Sequence, residues 1–117
     1  VDGFIFGTPV YYGQPNGSAL CLIQRMLYSN VAALMYKPVA NVCICRRGGA
    51  DSALQSMNAM LEMCNMPIVT SQYWNIAYGR EKGEVIGCQG NSYSYAGIAL
   101  AANEFHKMKI TTAKTSM

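Results

Sequence analysis

The side chains in this sequence that could do chemistry fall in three short stretches. The first is Pro9-Val10-Tyr11-Tyr12-Gly13, two tyrosines on a turn pinned by a proline and closed by a glycine. Adjacent phenol rings there make a flat, rigid wall suited to a planar ligand, or they pack over the helix that follows. The second is Arg46-Arg47-Gly48-Gly49. Two guanidinium groups beside two glycines can meet a phosphate or carboxylate bidentately where the backbone comes close, or they form a solvated basic loop. The third is Tyr73-Trp74-Asn75, with Tyr78 close behind. Such an aromatic cluster forms a ligand lid, a partner surface or a fold-back onto the core. No residue is assigned a catalytic role. The single histidine, His106, falls near the end of the last expected helix, where it caps or is solvated. Five cysteines, Cys21, Cys43, Cys45, Cys64 and Cys88, make an odd count with no C-x-x-C pair. Cys43 and Cys45 share one face of a strand, and Cys21 and Cys64 take helical, core-like positions. They read as buried free thiols in a reducing cytoplasm, with no metal ligation expected.

The elements that must position these stretches follow from periodicity and punctuation. Phe4-Ile5-Phe6 is apolar without alternation, the pattern of a strand buried on both faces in a parallel sheet. Gly7 and Pro9 end it, since Pro9 lacks a donor and forces Thr8 to be extended. Pro15-Asn16-Gly17-Ser18 supplies turn and cap chemistry for a helix over 18–30. Leu20, Ile23 and Leu27 form its inward stripe, widened by Ala19, Leu22 and Met26. A connection over 31–37 leads to a second buried strand, VANVCIC at 39–45. Asp51 or Ser52 caps a helix running to about 64, with Leu54, Met57, Leu61 and Cys64 inward. Residues 66–70 read as a short third strand and 71–90 as a long loop punctuated by four glycines. A last helix is expected over 92–107, with Tyr95, Ala99, Ala102 and Phe105 inward, before a flexible tail at 110–117. The order β-α-β-α-β argues for an α/β protein with a parallel sheet. The tyrosine turn and the arginine loop would then leave the same carboxyl edge, where ligands bind in open α/β sheets.

Composition narrows the class further. The chain has 117 residues, enough for one core, with 51% hydrophobic and only 13% charged residues. No apolar run approaches the ~20 residues of a membrane span, and no signal peptide is expected before the first strand. A net charge of +3, spread in ones and twos, is too weak for a nucleic-acid footprint but favours a small anionic ligand. The chain opens on Val1, and its apolar strand begins within three residues with nothing before it to pair with. It therefore reads as a portion of a longer fold. A homo-oligomer is expected, through that strand edge or through the aromatic loop.

The order DGFIFGTPVYYGQPNGSAL, VCICRRGGADSAL and QYWNIAYGREKGEV resembles the flavodoxin-like NAD(P)H-dependent FMN reductases, including their iron–sulfur flavoprotein branch. The resemblance covers residues 1 to about 109, which would be the C-terminal portion of an FMN-binding domain. It implies the flavodoxin-like three-layer fold with strand order 2-1-3-4-5, this chain supplying the third to fifth strands. The family's first two βα units, roughly 60–80 residues that include its first strand and phosphate-binding loop, would lie before Val1. Pro9, Val10, Tyr11, Tyr12 and Gly13 would line the flavin ring, Arg46, Arg47, Gly48 and Gly49 would form the loop at its other edge, and Tyr73, Trp74 and Asn75 would lie near the flavin or at a subunit contact. Cys88 stands where the family has an acidic residue. The implied activity is electron transfer from NAD(P)H through FMN to a quinone, free flavin or similar small acceptor, in the cytoplasm. Two other readings stay open: a flavin-bearing electron carrier, and a catalytically inactive, self-associating portion without bound flavin.

Overall fold

The computed structural model describes residues 1–70 and 73–87. The expected last helix, the tail, Cys88 and His106 lie outside the described residues. A four-stranded sheet, in the order β2-β1-β3-β4, forms the frame. Strands β1 (Phe4–Tyr11), β3 (Val39–Cys45) and β4 (Ile76–Tyr78) run parallel, and β2 (Gln14–Pro15) folds back antiparallel on the end of β1. Helices α1 (Gly17–Leu34) and α2 (Ala50–Glu62) make the two crossovers, and a single turn, α3 (Glu84–Gly87), follows β4.

Register separates the sheet into two faces. Phe4 pairs with Val39, Phe6 with Asn41 and Thr8 with Cys43, so these residues share one face. Ile23, Leu27 and Leu34 of α1 and Leu54, Met57 and Leu61 of α2 join Val39, Cys43 and Cys45 in one core cluster on that side. Both helices lie on this face, as right-handed crossovers moving the same way across a sheet require. Phe4 and Phe6 stack with ring centroids 5.9 Å apart against the same core. Inside it, Asn41 donates from Nδ2 to Asn58 Oδ1 at 2.7 Å, tying β3 to α2 through a buried polar pair.

The opposite face corrects the expectation for β1. Ile5 is 56% exposed and Gly7 and Pro9 are also exposed, whereas Ala40, the partner of Ile5, is buried. An apolar run reports that burial is favourable, but a strand with one full-length neighbour leaves half of its surface open. Helix α1 also departs from expectation. It continues past the expected end to Leu34, with a break at Asn30 (φ −153°, ψ 41°) where the sequence reading stopped it. Leu22 and Cys21, expected inward, face outward. Met57, Leu61 and Leu54 are buried as the spacing predicts, and Cys64 is half-buried.

Two further boundaries move. Helix α2 starts at Ala50 behind a left-handed Gly49 (φ 86°), with no side-chain cap from Asp51 or Ser52; Asp51 instead sits in the first turn, where its charge suits the helix dipole. The third strand is split. Residues 66–70 contribute only an isolated bridge, Val39 to Ile68, and the ladder resumes at Ile76, opposite Cys43. Four steps along β3 are thus matched by eight on its partner, so four extra residues leave the sheet as an excursion that carries Tyr73 and Trp74.

Candidate functional site

The site is built where β1 and β3 end. Tyr11 pairs with Gln14 across a two-residue hairpin, and both central residues, Tyr12 (φ 52°) and Gly13 (φ 73°), take positive φ. This is the type I′ turn that tight hairpins favour, with a bulky residue at a position that usually falls to Asn, Asp or Gly. The turn is held from beneath. Thr8, buried on the helix side, accepts from the Asn16 amide through Oγ1 at 2.9 Å and donates to the Pro9 carbonyl at 2.9 Å. Asn16 in turn caps α1, its Oδ1 accepting from the Ser18 amide at 2.8 Å. Ser56 of α2 donates to Gln14 Oε1 at 3.3 Å, joining the hairpin to the second helix. With the backbone so fixed, Tyr12 projects fully into solvent and Tyr11 is 57% exposed. No residue before Tyr12 needed this turn to be legible; the signal missed in the sequence is a glycine second in a two-residue loop between extended segments.

The arginine loop meets this hairpin. A Cβ placed on Gly49 would lie 3.0 Å from the Gly13 Cα and 3.4 Å from its nitrogen, so the two backbones touch. Beside them, Gly13 and Gly48 open on space, with nothing within 4 Å of an added Cβ. Two buried thiols lie beneath the loop. The thiol of Cys45, the last residue of β3, is pushed up in pKa by burial, while the amides of Ala50 and Arg47 act the other way. Cys43, deeper in the same strand, is pushed from 9.0 up to about 11 by burial and by Cys45. These two thiols are packing groups rather than nucleophiles.

A third loop completes the edge. The Cys45 carbonyl accepts from the Gly79 amide at 3.0 Å, bringing the segment after β4 beside the arginine loop. Gly79 is held against Val85, whose Cγ2 would lie 2.6 Å from an added Cβ. Glu84 accepts from the Arg80 amide at 2.6 Å and the Glu81 amide at 3.0 Å. Those amides, with the Arg80 and Arg46 guanidinium groups, hold its carboxyl below the usual range. Arg46 and Arg47 are both exposed on this rim.

The structure therefore brings together Pro9, Val10, Tyr11, Tyr12 and Gly13 with Arg46, Arg47, Gly48 and Gly49. Tyr73, Trp74 and Asn75 sit differently, ahead of β4 on the excursion rather than past the strand ends. Tyr73 and Trp74 are exposed, with ring centroids 5.8 Å apart and tilted by 54°. Asn75 is 2% exposed; its carbonyl accepts from the Cys43 amide at 3.1 Å and its Nδ2 reaches the Val69 carbonyl at 3.5 Å, so it fastens the base of the excursion. A surface concavity of about 770 Å³ lies elsewhere, lined by Leu22, Gln24, Arg25, Met26, Tyr28 and Ser29 of one helix, and holds none of these groups.

Parallel strands joined by helical crossovers, with glycine-rich turns gathered at their carboxyl ends, define the open α/β class that binds ligands at that edge. The model of the NADPH-dependent FMN reductase family matches residues 1–81, and the chain belongs to that family. Its parallel strands β1, β3 and β4 are three consecutive strands of the flavodoxin-like fold. No curated protein matches the chain.

Proposed function

We propose that the chain supplies the ring-binding edge of an FMN-dependent oxidoreductase that takes electrons from NAD(P)H and passes them to a quinone, free flavin or similar small acceptor. The contact between Gly13 and Gly49 carries this reading, because it joins the tyrosine turn and the arginine loop into one surface at the strand ends. The residues present suit a flavin. Exposed Tyr11 and Tyr12 offer aromatic area, and Gly13 and Gly48 leave bare backbone beside open space where a planar ring can approach. Bound FMN would supply the hydride and electron chemistry. The chain would hold the ring through Pro9 to Gly13 and Gly48 to Gly49, with Arg46 and Arg47 setting a positive rim that favours anionic donors. Titration with FMN, followed by flavin fluorescence and the visible spectrum, tests the reading. Quenched, saturable fluorescence and NAD(P)H-dependent bleaching support it; a spectrum identical to free FMN at every concentration counts against it.

A second reading rests on the outer edge of β1. Among the described residues no strand pairs with that edge before Val10, and Ile5 is 56% exposed beside it. The Phe4 amide points toward β3, so the amides of Ile5 and Gly7 point outward. Two copies could pair antiparallel about Ile5, placing Gly3 opposite Gly7 of the other copy. Light scattering at high micromolar concentration should then show a dimer that Ile5→Lys dissociates; a strictly monomeric chain removes this reading.

A further inference from the structure

The hairpin that presents the tyrosines is strained, and its own ladder does little to hold it. Tyr12 and Gly13 both take positive φ, 52° and 73°. Glycine enters that region freely, whereas the Cβ of a tyrosine resists it. The Tyr12 ring lies wholly in solvent, so burial of the ring does not offset the strain. The ladder is two residues long: Val10 faces Pro15 and Tyr11 faces Gln14, and Pro15 has no amide to donate.

We propose that Thr8 is the positioning residue of this turn: its hydroxyl clamps the two legs of the hairpin together and so keeps Tyr12 in the left-handed conformation. The consequence for binding rests on the flavin reading above. Thr8 is 2% exposed and lies beneath the turn, among the residues of the helix face. Its Oγ1 donates to the Pro9 carbonyl, ahead of the turn, and accepts from the Asn16 amide, behind it, both at 2.9 Å. Asn16 is itself anchored, because its Oδ1 accepts from the Ser18 amide and its carbonyl from the Leu20 amide at 3.0 Å. The hydroxyl thereby indexes the tyrosine turn to the first turn of α1. The fastening to α2 is weaker. Ser56 has one hydroxyl proton to divide between Gln14 Oε1 at 3.3 Å and the Ser52 carbonyl at 3.1 Å, both at the surface.

The first test needs no flavin. In urea unfolding, Tyr12→Gly should raise the midpoint of the parent, because glycine relieves the strain. It should raise the midpoint of Thr8→Val by less, because the unclamped turn has already relaxed. Equal rises overturn the proposal. The second test is FMN titration followed by fluorescence. Thr8→Val keeps the shape of the side chain but lowers the fraction of molecules with the turn in place, so it should weaken FMN binding about fivefold or more. Thr8→Ser restores the hydroxyl and should stay within about twofold of the parent. Ile23→Val, a mild loss in the core under α1, should also stay within about twofold, which separates positioning from a general loss of stability. Thr8→Ala is a second hydroxyl-free variant should Thr8→Val fail to fold. FMN binding by either hydroxyl-free variant equal to that of the parent overturns the proposal and leaves the flavin reading standing. A parent that binds no FMN, with unequal midpoint rises, sinks the flavin reading alone and supports the clamp.

Discussion

Strands β1 and β3 are similar as sequences and different as structures. Each is a short apolar run, and they lie side by side in register from Phe4–Val39 to Pro9–Ile44. Yet on the face away from the helices Ala40 is buried, Val42 half-buried and Ile44 only at the margin of exposure, while every second residue of β1 from Ile5 to Tyr11 is exposed. The difference lies in neighbours. β3 has β1 on one edge, β4 and the Ile68 bridge on the other, and α2 over its face. Among the described residues β1 has one full partner and a two-residue hairpin strand. Burial is therefore a property of the pairing rather than of the apolar run, and it divides labour: β3 supplies stability, and the end of β1 supplies surface.

The sharpest way to break that comparison is to remove comparable apolar bulk on each side. Leu61 is fully buried against the β3 face, so Leu61→Ala should cost about 2–5 kcal/mol by transfer and cavity terms together. Ile5 is more than half exposed, so Ile5→Ala should cost less than about 1 kcal/mol. Urea unfolding of both variants checks this. Equal costs would mean that the open face of β1 is covered in solution.

Titration sharpens it next. The Cys43 thiol is raised from 9.0 to about 11, chiefly by burial. Its folded state thus holds a proton that the unfolded chain releases earlier, so its contribution is complete below pH 9 and is lost as pH rises toward about 11. Stability measured across that window should fall, and Cys43→Ala should flatten the fall while lowering the starting value. In the same spirit, a thiol reagent at neutral pH should label exposed Cys21 well before buried Cys43. Rapid labelling of Cys43 in the native state would contradict its place in the core.

What the sequence made legible follows the same division. Signals carried by local chemistry were readable: the apolar run of 39–45, the inward Leu54, Met57 and Leu61, and the Asn16 cap all hold. The family could be recognised from three ordered motifs, and its match over residues 1–81 agrees. Signals that depend on partners were not. Ile76–Tyr78 is only three residues long and follows an excursion of four, so no period marks it as the strand that pairs with Cys43–Cys45. The side chains of Asp51 and Ser52 looked like caps because their types permit it, but the left-handed Gly49 set the start of α2 instead. Of the candidate site, the loops could be named from residue type; that Gly13 and Gly49 touch could not, because that contact is made by backbone and leaves no side-chain pattern.

That contact gives the most pointed test. Gly49 and Gly48 are adjacent, and both read as generic loop glycines, but only Gly49 has positive φ and a neighbour within 3.0 Å. Gly49→Ala places a methyl group against the Gly13 backbone and a side chain in the left-handed region, at a cost of about 1–2 kcal/mol. The strain can be relieved only by parting the loop from the turn, because the atom it meets is main chain rather than the end of a flexible side chain. Gly48→Ala meets nothing and should leave stability within about 0.5 kcal/mol. If the joined surface holds the flavin, Gly49→Ala should weaken FMN binding by more than its stability cost explains. Gly48→Ala should weaken binding too, but without destabilising the fold, since its methyl group would occupy the open space beside the ring. Thermal unfolding and FMN titration of the pair distinguish the roles. If both variants bind FMN as the parent does, the ends of β1 and β3 meet for packing alone.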